Sequence, residues 1–354
     1  MADAEVIPIG GRGRPGRGSS TSPTAAARAL AVPAAKPRWP RPPKPDAGTG
    51  EDAEQPAHRA EDIADAVRDA ANEAFGANGW EPQLAQMLAF ARRRLTGDYE
   101  VDEFGFDVEV TERFLLAALR PLAEKWFRVE VFGADNIPAE GGALLVSNHS
   151  GTIPLDGMMT AVVIRDHADR YLRMLGADLL FRLPFVGQLA RKGGATNSCN
   201  EDAERMLSRG ELVGVWPEGF KGIGKPFSER YKLQRFGRGG FVSAALGTGV
   251  PIVPCSVVGA EEIYPLVGNV PALARLLGVP YVPITPLFPW LGPLGMIPLP
   301  SKWLIEFGEP MRTDSYAAGA ADDPMLVFSV TDQVRETIQQ TLYSLLIRRR
   351  SVFA

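Results

Sequence analysis

The chain has 354 residues, enough for one sizeable core, as one large domain or one domain with an attachment. Its formal charge of −4 excludes a nucleic-acid binder by charge alone. Two cysteines, Cys199 and Cys255, and three scattered histidines, His58, His149 and His167, exclude a recognisable zinc motif.

Residues 1–58 are rich in Gly, Pro, Ala and Arg and show no periodicity, which predicts a disordered tail. Within it, residues 1–45 hold eight Arg or Lys against two acidic residues, so the tail is basic. Arg12, Arg14, Arg17, Lys36, Arg38, Arg41 and Lys44 leave two readings open, a solvated tail and one that touches anionic lipid or another polyanion. Arginines and prolines stand where a signal peptide needs an apolar run, so a cytoplasmic protein is expected.

Residues 59–108 read as a helical N-terminal extension. Ile63, Ala66, Val67, Ala70, Ala74 and Phe75 recur at helical spacing, and Gly76 and Gly79 mark a break. Trp80-Glu81-Pro82 opens a second helix with Leu84, Met87, Leu88, Ala91 and Leu95 on its apolar face. The acidic stretch 97–107 reads as loop. These helices suit a cap on the main domain, a partner or a lipid surface. A third helix is predicted over Val110 to Phe127, with Phe114, Leu115, Ala118, Leu122 and Trp126 as its stripe and Pro121 as a kink or split.

The remaining chain, 109–354, alternates strands with helices. Strands are predicted at Arg128–Phe132, Ala143–Val146, Leu172–Leu175, Leu212–Trp216, Pro251–Val258 and Trp303–Phe307. Helices are predicted at Asn200–Arg209, Gly239–Leu246 and Thr331–Ile347, and Leu179–Leu189 reads as a helix or a packed loop around Pro184. Such alternation implies an α/β fold, a mixed, largely parallel sheet flanked by helices. Cys255 falls inside one of these strands and reads as a free core thiol. No charge occurs over 276–301, a length that hydropathy alone would allow to cross a membrane, but seven prolines there rule out a regular spanning helix. Two readings stay open: a buried strand with turns, or an apolar surface loop around Phe288, Pro289, Trp290 and Leu291.

Two stretches carry the chemistry. The apolar run Gly142–Val146 ends in Ser147-Asn148-His149, turns through Gly151 and Pro154, and reaches Asp156 before the apolar run Met158–Ile164. A histidine and an aspartate at the mouth of a strand–turn–helix unit have the chemistry of a general base and its orienter. They also have structural readings, Asp156 as a helix cap and His149 bonded to backbone. No G-x-S-x-G elbow exists, so direct attack by an activated substrate alcohol is simpler than a covalent enzyme intermediate. The second stretch, Trp216-Pro217-Glu218-Gly219-Phe220-Lys221-Gly222, ends a strand in a glycine-containing turn. Lys221, Lys225, Arg230, Lys232, Arg235 and Arg238 follow densely, and Arg191 and Lys192 lie upstream. This mixture suits a phosphate-bearing substrate or carrier, or else a solvated loop. Glu218 suits orientation of a substrate hydroxyl or support of the turn. Neither dinucleotide nor P-loop patterns occur in the right context.

Four blocks in order resemble the glycerolipid and lysophospholipid acyltransferase family, whose bacterial members include 1-acylglycerol-3-phosphate acyltransferases. They are Ser147-Asn148-His149 through Asp156, Phe185–Arg191, Trp216–Lys221 and Val250–Cys255, and the likeness covers about residues 110–310. Six residues separate His149 from Asp156 where the family usually has four. That spacing, with Gly259–Pro265, looks more like the branch related to mono- and diacylglycerol acyltransferases. Phe220 stands where a small hydroxyl residue is common. The resemblance implies a glycerolipid acyltransferase-like α/β domain with extra N-terminal helices. It implies transfer of a fatty acyl group from acyl-CoA or acyl carrier protein (acyl-ACP) to a glycerolipid hydroxyl, foremost 1-acylglycerol-3-phosphate or a related lysolipid. His149 and Asp156 would be catalytic. Arg191, Glu218, Gly219, Lys221 and Lys225 would bind substrate, and backbone groups near Gly219 would meet the oxyanion. No metal or redox cofactor is implied. A peripheral or monotopic place on the cytoplasmic face of the membrane follows from a lipid substrate. A neutral mono- or diacylglycerol acceptor and a non-catalytic, peripheral lipid-binding protein are the rival readings; an α/β hydrolase lacks its elbow.

Overall fold

The computed structural model describes residues 80–237 and 239–353. The expected tail over 1–58, the first helix from Glu61, His58 and Arg238 lie outside the described residues. Residues 89–354 form a compact unit of their own. Of the other unit, residues 1–88, the described part is the start of the helix Trp80–Thr96.

The stretch 97–107 is loop apart from turns, as its composition predicts, and it ends on Asp107. That buried carboxylate accepts from Val110 N at 3.0 Å and caps the next helix, while Arg94 pairs with it. The helix over Val108–Trp126 contains two π-helical stretches, Thr111–Leu116 and Leu122–Trp126, and runs on through Pro121. The wider π turns shift the buried face. Leu116, Ala123 and Phe127 are buried, whereas Phe114 and Trp126 of the predicted stripe are exposed.

Seven strands form the main sheet: β1 (Glu130–Phe132), β2 (Ala143–Ser147), β3 (Leu172–Gly176), β4 (Thr196–Asn197), β5 (Leu212–Val215), β6 (Ile252–Val258) and, after the small hairpin of β7 (Gly268–Asn269) and β8 (Pro283–Ile284), β9 (Leu304–Phe307). Their order is β1-β9-β6-β2-β5-β3-β4, and every pair is parallel except β6 with β9. The fold is the mixed, largely parallel α/β sheet expected from the alternation. Its central strands are apolar throughout because helices cover both faces. Leu145, Val253, Cys255 and Ile305 pack with Met159, Val162 and Val163 of the helix Leu155–Ala168 and with Leu116 and Ala123. Leu144, Val146, Val213 and Ile252 point the other way, toward Met206 and Leu207, Ala244 and Ala245, and Val334, Ile338 and Leu342. Register sets Val146 beside Val215 on one side and Pro254 on the other, so β2 is flanked by β5 and β6.

Leu179–Leu189 is two short helices, Asp178–Arg182 and Val186–Lys192, separated at Pro184. The C-terminal helix starts earlier than predicted, at Pro324, because Asp323 accepts from Met325 N and Leu326 N as its cap. The uncharged segment 276–301 holds the end of the helix Pro271–Leu277, a two-residue strand and a 3-10 turn at Gly292–Met296; Thr285, Gly295 and Ser301 are buried, while Trp290 is 75% exposed and Leu291, Leu294, Met296 and Ile297 are exposed as well. No helix among the described residues is long and apolar enough to cross a membrane.

Candidate active site

In a parallel sheet, ligand-binding loops gather at the carboxyl ends of the strands. Here β2 ends in Ser147-Asn148-His149 and its neighbour β5 ends in Trp216-Pro217-Glu218-Gly219, so pairing brings the two motif stretches to one edge. Asn148 ties this edge to β6: its Nδ2 donates to Val257 O at 3.0 Å, and Val257 N donates to its Oδ1 at 2.8 Å.

The six-residue loop closes on itself. Asp156, in the first turn of Leu155–Ala168, is fully buried. Its Oδ2 lies 2.7 Å from His149 Nδ1 and accepts from Ser150 N at 2.8 Å, while its Oδ1 accepts from Gly157 N at 2.9 Å. An ionised carboxylate can only accept, so the ring nitrogen facing it carries the proton and Nε2 keeps its lone pair. The imidazole sits 6.0 Å, centroid to centroid, from the Trp216 ring. Tyr281, from the uncharged segment, donates through its hydroxyl to Thr152 O at 2.6 Å and so fastens the middle of the loop. Burial, then the nearby Asp156 charge, pushes the Tyr281 phenol up.

The main chain of His149 is held separately. Its N–H donates to Glu218 Oε1 at 2.9 Å, and Gln234 N donates to Glu218 Oε2 at 2.6 Å. Gly222 packs so closely that an added Cβ would stand 2.7 Å from His149 O, which explains glycine there. Lys225 Nζ is 3.5 Å from Glu218 Oε2 and 3.2 Å from Glu261 Oε1. Burial, opposed by Lys225, pushes the Glu261 carboxyl up to about 7.

The expected substrate contacts therefore divide. Glu218 and Lys225 are buried, and their charged atoms are engaged by partners inside the protein. Gly219 has φ +54, and its own N–H donates to Trp216 O at 3.0 Å, so that group is taken by the turn. Lys221 is exposed and lines a cavity of about 500 Å³ with Pro217, Glu218, Phe220, Arg235, Phe236 and Gly237. Arg191 is exposed on the Val186–Lys192 helix with its guanidinium over the Phe181 ring at 4.7 Å. Sequence reasoning missed Glu261 and Tyr281. An acidic pair placed directly after the long apolar strand β6 is a signal for a buried charge, whereas nothing in a proline-rich run marks Tyr281.

The acyltransferase family model matches residues 128–258, which span β1 through β6 and so contain His149, Asp156, Glu218 and Lys225. An uncharacterized protein of Mycobacterium tuberculosis is 59% identical over 276 residues, 76% of this chain and 77% of that one. Over residues 128–258 the chain belongs to the acyltransferase family. Two further relatives carry named activities. A Gallus gallus "DGAT1/2-independent enzyme synthesizing storage lipids" is 27% identical over 53% of this chain and 54% of its own length. The human 1-acyl-sn-glycerol-3-phosphate acyltransferase alpha is 33% identical over 39% of this chain and 48% of its own length.

Proposed function

We propose that this acyltransferase moves a fatty acyl group from an acyl thioester, acyl-CoA or acyl-ACP, to a hydroxyl of 1-acylglycerol-3-phosphate or a related lysolipid, with His149 as general base. The observation that carries the reading is the 2.7 Å contact of His149 Nδ1 with a fully buried Asp156 at the edge where Lys221 and Arg235 line one cavity. In this reading Nε2 of His149 takes the proton of the acceptor hydroxyl. The oxygen attacks the thioester carbonyl, the tetrahedral oxyanion collapses, and the carbon–sulfur bond breaks. The departing thiolate receives the proton back from the imidazolium, which Asp156 supports throughout. Lys221 and Arg235 hold phosphate of the acceptor or of the carrier. Arg191, which is not among the residues lining this cavity, is a further candidate contact for phosphate, and Gly219 shapes the turn that follows β5.

A neutral acceptor is the second reading, favoured by the storage-lipid relative and by the six-residue His–Asp loop. In either case the substrates lie in a bilayer. The exposed apolar surface around Trp290 would then rest on the cytoplasmic face of the membrane as a peripheral contact.

The test is acyl transfer by the purified chain from long-chain acyl-CoA, then acyl-ACP, to glycerol-3-phosphate, 1-acylglycerol-3-phosphate, monoacylglycerol, diacylglycerol and a lysophospholipid. His149→Ala is run beside it. Product with 1-acylglycerol-3-phosphate that disappears in the variant is expected. Product that survives in the variant removes His149 as the base, and product with neutral acceptors alone moves the reading to storage lipids.

A further inference from the structure

Behind His149 lies a charge cluster that touches no cavity-facing atom of the proposed reaction except through Glu218. The side chains are buried: Lys225 is 1% exposed, Glu218 0% and Glu261 6%. Placing one cation between two carboxylates in a protein interior is costly unless every charge is met, and apolar side chains would fill the same space at less cost. The arrangement is met at every point, and its output is a single bond. Glu218 offers one oxygen to His149 N and the other to Gln234 N and Lys225. Lys225 is held in turn by Glu261, and Glu261 is fixed by Tyr231 N, which donates to its Oε1 at 2.9 Å. His149 is thus pinned twice, its ring by Asp156 and its main chain by Glu218. If Lys225 were removed, Glu218 would lose its only cation among the described residues, and the His149 and Gln234 amides alone would hold its carboxylate in place.

We propose that Lys225 and Glu261 are positioning residues for His149, acting through Glu218. This rests on His149 being the base. Neither residue touches substrate; they set where the imidazole stands when the acceptor hydroxyl arrives. A displacement of this kind lowers the rate of the chemical step and leaves substrate affinity alone.

The experiment uses the full chain and compares the parent with His149→Ala, Lys225→Met, Lys225→Arg and Glu261→Gln. Two readouts are taken: kcat and KM for acyl-CoA and 1-acylglycerol-3-phosphate, and the ring N–H resonance of His149 in histidine-labelled protein, identified by its loss in His149→Ala. For Lys225→Met, kcat is expected to fall about 10-fold or more. Both KM values should stay within about twofold, and the His149 Nδ1–H resonance should shift or broaden. Lys225→Arg should restore part of both. Glu261→Gln keeps its acceptor oxygen and should act in the same direction more weakly. If Lys225→Met does not fold, Glu261→Gln decides: a lowered kcat at constant KM supports the proposal, and parent-like values overturn it. An unchanged His149 resonance in folded Lys225→Met overturns it as well. Loss of the functional reading is seen separately, as activity that survives in His149→Ala or is missing from the parent. The resonance comparison still decides the positioning in that case.

Discussion

Asp156→Asn keeps the shape of the side chain and removes its charge. Asp156 accepts three hydrogen bonds, from the His149 ring at 2.7 Å, Ser150 N at 2.8 Å and Gly157 N at 2.9 Å. Asparagine has one acceptor oxygen and one donor NH2, so either orientation sets one N–H against another. With NH2 toward Ser150, the imidazole must carry its proton on Nε2, and the base is lost. With NH2 toward Gly157 the tautomer survives, but the imidazolium no longer has its carboxylate. A buried donor without an acceptor costs about 1–3 kcal/mol of stability. Loss of the carboxylate behind a histidine base costs up to about 10⁴-fold in rate, or about 5 kcal/mol of barrier. The expected variant therefore melts a few degrees lower, keeps its KM values and loses about 10³-fold in kcat, well beyond what partial unfolding explains. Steady-state acyl transfer with a thiol-release readout, beside a thermal melt, measures both. A folded Asp156→Asn enzyme with kcat within threefold of the parent would refute the dyad.

Other outcomes follow from the same geometry. Lys221→Ala combined with Arg235→Ala should raise KM about 10-fold or more for a phosphate-bearing substrate, since each charged hydrogen bond is worth about 1.5–3 kcal/mol. A monoacylglycerol acceptor paired with a short thioester lacking the nucleotide should be unaffected, and equal losses for both would contradict the phosphate role. Glu261 predicts a pH dependence of stability. Burial raises its carboxyl to about 7 from an ordinary 4.5, so between those values the folded chain holds a proton that the unfolded chain has released. Its contribution is full below about 4.5 and is lost as pH rises through about 7, by at most about 3 kcal/mol. Urea midpoints from pH 5 to 8 should show this decline in the parent and a flatter line in Glu261→Gln; parallel lines would exclude it. Trp290→Ser with Leu294→Ser should reduce co-sedimentation with phosphatidylglycerol-containing vesicles without lowering the melting temperature, because both side chains are exposed. Unchanged vesicle binding would move the membrane contact elsewhere.

What the sequence determined about this protein is local. Apolar runs bounded by Gly, Pro and polar residues marked β2, β5, β6 and β9, because a strand buried on both faces must be apolar along its whole length. His149, Asp156, Glu218 and Lys221 were legible as chemistry-bearing residues at strand ends. The pairing of His149 with Asp156 was legible as well, whereas the partners of Glu218 and Lys225 were not. Glu218 reaches His149 across 69 positions only because β5 inserts beside β2, and strand order is set by the packing of whole layers rather than by either segment. Closure of the His149–Asp156 loop depends on the Ser150 and Gly157 amides converging on one carboxylate, a match of backbone angles that spacing does not reveal. Side-chain fate was equally a tertiary matter. Lys221 and Lys225 are four apart on similar local sequence, yet one lines a cavity and the other is buried between two carboxylates. The stripe of the Val108–Trp126 helix moved because its π turns alter the angular period on which pattern reading depends. The apolar segment around Trp290 stayed at the surface because the faces of the sheet were already filled by helices, which left its side chains no core to enter.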